Sequence, residues 1–571
     1  MKRRGALFAV PVLAAAAAAV VVGLSSGSAQ REPLGGPLAM FQEDTHVLAH
    51  PRRTLKTLRS LGVRVLRVNV PWASIAPESK SATPPAGFNA SDPAAYPAGN
   101  WARFDRVVRQ ASAHGIAVDF LLGGAAPLWA NGPGAPPSER ALGAWDPSAV
   151  AYGQFVQAVA TRYSGAYRPP TASSPLPRVD FWELWSEPNW GPSLQPQLAL
   201  HPVRIHAASQ YRLLVDAAWS ALHRSGHGRD TVVIGSLSPR GITVPPNSAL
   251  AAAVEVSGPL AFTRTLYCVD SGFRPLRGRT AALVGCPTND AGTAAFRRAH
   301  PVLFDASGYG VHPYPISLPP NEADATNPDT VEFSQIPQLI SVLDRVQEVY
   351  GSDRQLPVYN TEYGYITNPP NPGTEYPSPV IAARYLNWAE YLTWRNPRIA
   401  TTMQFTLFDG GTRKNAVHNV GFTTGLLFTD GKPKATFYAY RMPLFMPATK
   451  AGSGQPLEVW GCVRPAHYAA LDTHQPQYVD VQFRTGSSGP FRTIKTVRIT
   501  DVRGYFDVQV KFPASGTVRL RWSYPGDDPR LRDPVTPGQT TIYSRQVYVT
   551  VRWWRAVPSS ARLSQRFPRT G

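Results

Sequence analysis

Short apolar runs recur between residues 37 and 410, each followed by a longer stretch in which apolar side chains fall every third or fourth place. That alternation predicts repeated βα units. The runs begin as PLAMFQED from Pro37, VRVLRVNV from Val63, IAVDFLLG from Ile116 and VDFWELWS from Val179. They continue as TVVIGSL from Thr231, SGYGVH from Ser307, LPVYNT from Leu356 and ATTMQFTL from Ala400. Several are apolar at almost every place, as parallel strands covered on both faces must be. Between them, RTLKTLRSLG puts Leu55, Leu58 and Leu61 on one stripe ahead of Gly62, and IPQLISVLDRVQEVYG does the same with Leu339, Leu343 and Val346. SPVIAARYLNWAEYLTW opens with Ser378 as N-cap and Pro379 at the first helical place. Eight such units predict a closed (β/α)8 TIM barrel over residues 30–446. An open doubly wound sheet is disfavoured, because no Gly-rich phosphate turn follows the first run.

Beyond a flexible linker at 447–456, containing ATKAGSGQP, the period changes to two. FDVQVKF alternates Phe506, Val508, Val510 and Phe512 with polar residues, and VRLRW alternates Val518, Leu520 and Trp522 with arginines. This predicts a smaller all-β, immunoglobulin-like sandwich over 457–554, without an obvious row of exposed aromatics, followed by a basic tail at 555–571.

The 571 residues are 43% hydrophobic and 17% charged, enough apolar material for more than one domain. The chain begins with Lys2, Arg3 and Arg4, an apolar run to Leu24, and small residues ending at Ala29. That order predicts a secretory signal over 1–29 and a secreted or cell-surface protein, with an uncleaved anchor as the alternative. No later segment is apolar enough for a membrane span. Without residues 1–29 the formal net charge falls from +19 to +16. Such a charge favours attraction to acidic cell-wall polymers, although the arginines are scattered and no nucleic-acid motif accompanies them. Of three cysteines, Cys268 and Cys286 are close in sequence and are expected to pair, leaving Cys462 free. No Cys/His cluster has metal-ligand spacing, so neither a metal nor another cofactor is expected.

The chemistry-bearing stretch is FWELWSEPNW, Phe181 to Trp190, where Glu183 and Glu187 sit among three tryptophans. In a parallel barrel the reacting groups stand where strands end at the C-terminal face. Glu187, read as the end of the fourth strand stopped by Pro188, and Glu362, at the end of LPVYNT, are two such carboxylates. A pair of this kind is what glycoside hydrolysis needs. Glu183 reads as a deeper structural partner.

WSEPNW at the fourth strand and TEYGY at the seventh resemble the acid/base and nucleophile motifs of the clan A retaining glycoside hydrolases of families five and thirty-nine. GVRVLRVNVPW, APLWA, HPYP and GLLFTDGKPKATFYAYR extend the likeness over most of residues 37–440. The resemblance implies Glu187 as general acid and base and Glu362 as nucleophile, with a carbohydrate substrate. It further implies Arg67 and Tyr314 bonded to the nucleophile and His312 as an orienting group. Asn189 and Ser186 would contact substrate, and Trp72, Trp129 and Trp190 would offer faces for sugar rings. Trp129 and Trp185 read equally well as core. Ser186 stands where the family carries Asn, and Phe405 and Phe408 close the eighth strand where it carries Trp. Ser186 keeps open a carbohydrate-binding protein on a degenerate barrel, and a transglycosylase, in which a sugar hydroxyl competes with water for the same covalent intermediate, is a further alternative.

Overall fold

The computed structural model of the chain describes residues 35–552, apart from 141, 243–245, 324–326, 411–421 and 526–532. The export signal and the basic tail read from the sequence lie outside the described residues. Eight strands form one parallel sheet: β1 (Leu38–Gln42), β2 (Val65–Pro71), β3 (Ala117–Gly123), β4 (Phe181–Leu184), β5 (Thr231–Leu237), β6 (Gly308–Val311), β7 (Val358–Asn360) and β8 (Thr401–Phe405). Neighbours in sequence are neighbours in space, and β8 also pairs with β1. The ring closes where Val358 bridges Ile399 and accepts a 2.8 Å bond from the Ala400 amide. Seven strands fall inside the apolar runs of the sequence, and β2 overruns its own by one residue, Pro71. Two-sided burial is the reason: every residue of β5 is buried, as is every residue of β4 and β6.

Helices follow every strand, among them α1 (Pro51–Ser60), α2 (Ala98–Ala113), α3 (Ala149–Arg162), α4 (Ala207–Arg224), α5 (Pro259–Leu266), α6 (Ile336–Val349), α7 (Pro379–Arg395) and α8 (Ala435–Arg441). Among the described residues, none is long and apolar enough to cross a membrane. Ser378 caps α7 by accepting the Ile381 amide, with Pro379 at its first turn. After α1 the chain turns at Gly62, whose φ is +78°; a Cβ there would sit 2.4 Å from the Arg464 carbonyl carbon, so glycine serves both the turn and the close approach.

The C-terminal domain is a sandwich of two sheets. The first joins β9 (Leu444–Phe445), β11 (Pro456–Cys462) and β14 (Tyr505–Lys511). The second joins β10 (Lys450–Gly452), β17 (Val547–Arg552), β15 (Gly516–Ser523), β12 (Gln477–Thr485) and β13 (Arg492–Ile499), with β16 (Thr541–Tyr543) on β15. Val518, Leu520 and Trp522 point inward as the alternation predicts. Two expectations are corrected. The segment read as a free linker contains β10, which pairs in parallel with β17. The domain also carries a helix, α9 (Ala466–Thr473), whose inner face is buried.

α9 packs against the barrel. The Tyr468 hydroxyl donates to the carbonyls of Val63 and Gly115, which precede β2 and β3, and Arg59 of α1 forks onto Asp472 at 2.8 Å. Buried Arg464 pairs with Glu390 of α7, which also accepts from the Tyr505 hydroxyl at 2.8 Å. These contacts gather at the N-terminal ends of the strands, and one apolar core runs through both domains, from Met40 and Val68 to Val479 and Trp522. The C-terminal strand ends remain free for chemistry.

Candidate active site

β4 stops at Leu184, so Glu187 does not end the strand; it projects from a turn beyond it. Trp185 (φ 68°) and Glu187 (φ 45°) are both left-handed, as is Ser236 (φ 49°) at the neighbouring strand β5. Conformations of this kind cost side-chain-bearing residues about 1–3 kcal/mol each and persist only where neighbours enforce them. Here the Trp185 amide donates to Leu122 O and the Glu187 amide to Ser236 O, both at 2.9 Å. Buried Asn189 locks the turn from below: its Nδ2 donates to the carbonyls of Ser238 and Ser257, and its Oδ1 accepts the Ser238 amide at 2.8 Å. Asn189 therefore bonds backbone, which corrects the expectation that it contacts substrate.

Behind Glu362 stands a buried ion network. The Arg67 guanidinium, wholly buried, forks onto Glu183 at 2.7 and 2.6 Å, donates to Glu362 Oε1 at 2.7 Å, and donates to Gln42 Oε1. Arg67 thus orients the nucleophile candidate and is sealed from any ligand, and Glu183 takes the structural role read for it. Asp119 lies deeper on the same face; burial, then the Glu183 charge, hold its pKa well above the carboxylate range.

His312, also fully buried, stands between the two carboxyl groups. Its Nδ1 is hydrogen-bonded to Glu187 Oε1 at 2.9 Å and lies 3.6 Å from Glu362 Oε2, while Nε2 has no hydrogen-bond partner among the described residues. Since both oxygens approach one nitrogen, they lie closer together than the sum of those two distances. Burial alone would lower the His312 pKa, but Glu362 and then Glu187 outweigh it and raise the pKa. Burial would likewise raise Glu362; the His312 and Arg67 charges, and hydrogen bonds from Arg67 and from the Tyr314 hydroxyl at 3.2 Å, win and lower it. Glu362 is therefore an anion beside a second carboxyl group that shares its imidazole neighbour. Such a pair can divide nucleophilic and proton-transfer work between its members.

The tryptophans separate by burial. Trp72 is fully buried and stacks on Phe155 at 5.6 Å, so its faces are closed to sugar, correcting that assignment. Trp185 is likewise core, packed on Tyr152. Trp129 is half-buried between Trp72 and Phe88, with its Nε1 donating to Pro77 O. Trp190, three residues past Glu187, is 41% exposed. The Ser186 carbonyl accepts from the Ser193 hydroxyl, and the side chain sits at the turn between the two left-handed residues. Tyr314 packs edge-on against Phe405 and Phe422, so the phenylalanine of the eighth strand belongs to the site wall.

Two functional positions escaped the sequence reading. Gln42 bonds Arg67, and Asp44 accepts the Asn69 amide at 3.0 Å and the Gln42 amide at 2.7 Å. Burial raises the Asp44 pKa to about 6, against hydrogen bonds from Gln42 and Asn69 that lower it. The signal was present: QED closes the first apolar run, and polar groups at a strand end mark the catalytic face.

The sequence matches no protein-family model and no curated protein. Its structure is similar to that of a family 39 glycoside hydrolase from Bacteroides cellulosilyticus WH2 at 16% identity, covering 90% of this chain and 79% of that one, with a TM-score of 0.43. A glucosidase from Croceicoccus marinus aligns at 14% identity over 87% of this chain and 97% of that one, TM-score 0.44. An endo-beta-1,4-mannanase from Thermotoga petrophila aligns at 12% identity over 91% and 99%, TM-score 0.36. What the site can do follows from its own geometry.

Proposed function

We propose that the protein is a retaining glycoside hydrolase that cleaves a β-glycoside or polysaccharide outside the cell. The observation that carries this reading is the pair of carboxyl groups, just beyond the ends of β4 and β7, that share His312 Nδ1. Inverting enzymes hold their carboxyl groups about 6.5–9.5 Å apart to admit a water, whereas retaining ones use about 5–5.5 Å. The separation set by the shared nitrogen favours the second.

In this mechanism an oxygen of Glu362 attacks the anomeric carbon as the glycosidic C–O bond breaks and the Glu187 proton passes to the leaving oxygen. A water then attacks the same carbon, Glu187 takes its proton, and the ester bond to Glu362 breaks. Arg67 and Tyr314 hold Glu362 as an anion, and His312 keeps Glu187 in place. Trp190 supplies an apolar face for a sugar ring. The N-terminal pattern of basic, apolar and small residues supports export.

Hydrolysis of aryl β-glycosides and β-linked polysaccharides by the mature protein tests the reading, with Glu362→Gln as the matched blank. Turnover should vanish in that variant while the fold survives; unchanged hydrolysis refutes the assignment. Ser186 favours a second reading, a carbohydrate-binding protein on an inactive barrel. Sugar release that depends on Glu187 excludes it.

A further inference from the structure

On the outer wall of the barrel, α1 and α2 enclose a groove of about 610 Å3, a size typical of ligand sites (about 300–1,000 Å3). Arg52, Arg53, Lys56, Arg106 and Arg109 line it with His50, and no carboxylate does. The two helices hold a single carboxylate, Asp105, and it is engaged elsewhere by Arg162 and the Tyr163 hydroxyl. Among the described residues, none of Arg52, Arg53, Lys56 and Arg106 is in an ion pair. Arg109 donates to Ser174 and the Pro175 carbonyl, which fixes one wall of the groove.

This arrangement opposes the local physics of the helices. Arg52 and Arg53 occupy the first turn of α1, where the helix dipole disfavours cations and no acidic residue offsets them. Arg52 and Lys56 are four apart and Arg106 and Arg109 three apart, so like charges repel along each helix as well as across the groove. A bound polyanion relieves all of these repulsions at once. Arginines scattered along the sequence are in part collected here by folding.

We propose that this groove is a non-catalytic binding site for an acidic polysaccharide, a chain bearing carboxylates on successive sugars. Four of the five cations are arginines, whose planar forks match carboxylates in pairs. His50 is the one aromatic ring in the lining, and no Phe, Tyr or Trp offers a stacking platform for successive nucleobases, which separates its partner from single-stranded nucleic acid. Binding there holds the enzyme on an acidic matrix without occupying the strand-end site.

The test is binding of fluorescent polygalacturonate to the mature full-length protein, compared with Arg52→Gln/Lys56→Gln/Arg106→Gln. Binding that weakens at least about tenfold in the triple variant and disappears by about 0.5 M salt is expected. Hydrolysis of small aryl glycosides should be unchanged, and low-salt thermal stability should rise as the repulsion is removed. Wild-type affinity in the triple variant overturns the proposal. So does salt-insensitive binding of the wild type, which remains informative should the variant not fold. Single-stranded DNA and polyphosphate of equal charge serve as competitors, and tighter binding of either also overturns it.

Discussion

Replacing His312 by Asn removes the imidazole charge but places an amide nitrogen close to where Nδ1 stood, so the bond to Glu187 can persist. The change should fall on Glu362. At the observed 3.6 Å, a full charge acting through an effective dielectric of about 20 is worth about 4–5 kcal/mol, an upper bound of about 3 pH units for its neighbour. Glu362 retains Arg67 and Tyr314 and has one edge open to solvent, which keeps the shift below that bound. The acid limb of kcat/KM against pH, measured with an aryl β-glycoside, should therefore move to higher pH in His312→Asn. Stability should also respond. Because the folded His312 pKa is raised, its stabilising contribution is complete below the unfolded value of 6.5 and is lost as pH rises through the folded value. The wild type should lose stability over that rise and the variant should not. An acid limb that stays in place in a folded His312→Asn protein would refute the electrostatic account of the site.

Asn189→Ala should lower unfolding free energy by about 3 kcal/mol in chemical denaturation, since the change leaves a buried amide and two carbonyls without partners. Replacing Cys268 and Cys286 by Ser opens a bridge between residues 18 apart, for an expected loss of about 3 kcal/mol in the same assay. Asp44 has a folded pKa of about 6 against an ordinary 3.8, so its burial penalises the charged form and stability should fall as pH rises through that interval. Asp44→Asn should lack that fall in paired melts at low and neutral pH.

The barrel was legible because its strands announce themselves twice, by apolar runs and by the amphipathic helices between them. The candidate carboxylates were legible because polar residues at the ends of such runs stand out, as Glu187 and Glu362 do. The same sequence could not separate Trp72 from Trp190. Both follow a strand, both are tryptophan, and only the packing of Phe155 against one distinguishes core from surface. Asn189 was misread for a similar reason: an amide beside a catalytic motif can face a sugar or a backbone, and the choice is made by Ser238 and Ser257, far along the chain. The supposed linker failed because its strand partner lies about a hundred residues away, beyond the reach of local pattern.

The seam between barrel and sandwich gives the second domain a different standing from a detachable accessory. Arg464 and Glu390 neutralise each other across it, and Tyr468 and Asp472 satisfy groups on the barrel's underside. Cutting the chain in the linker region would strand a buried charge on each side and leave apolar core facing water. The two parts can then be inherited, exchanged or trimmed only together, and evolution has had to tune the strand ends without the freedom to replace what lies beneath them.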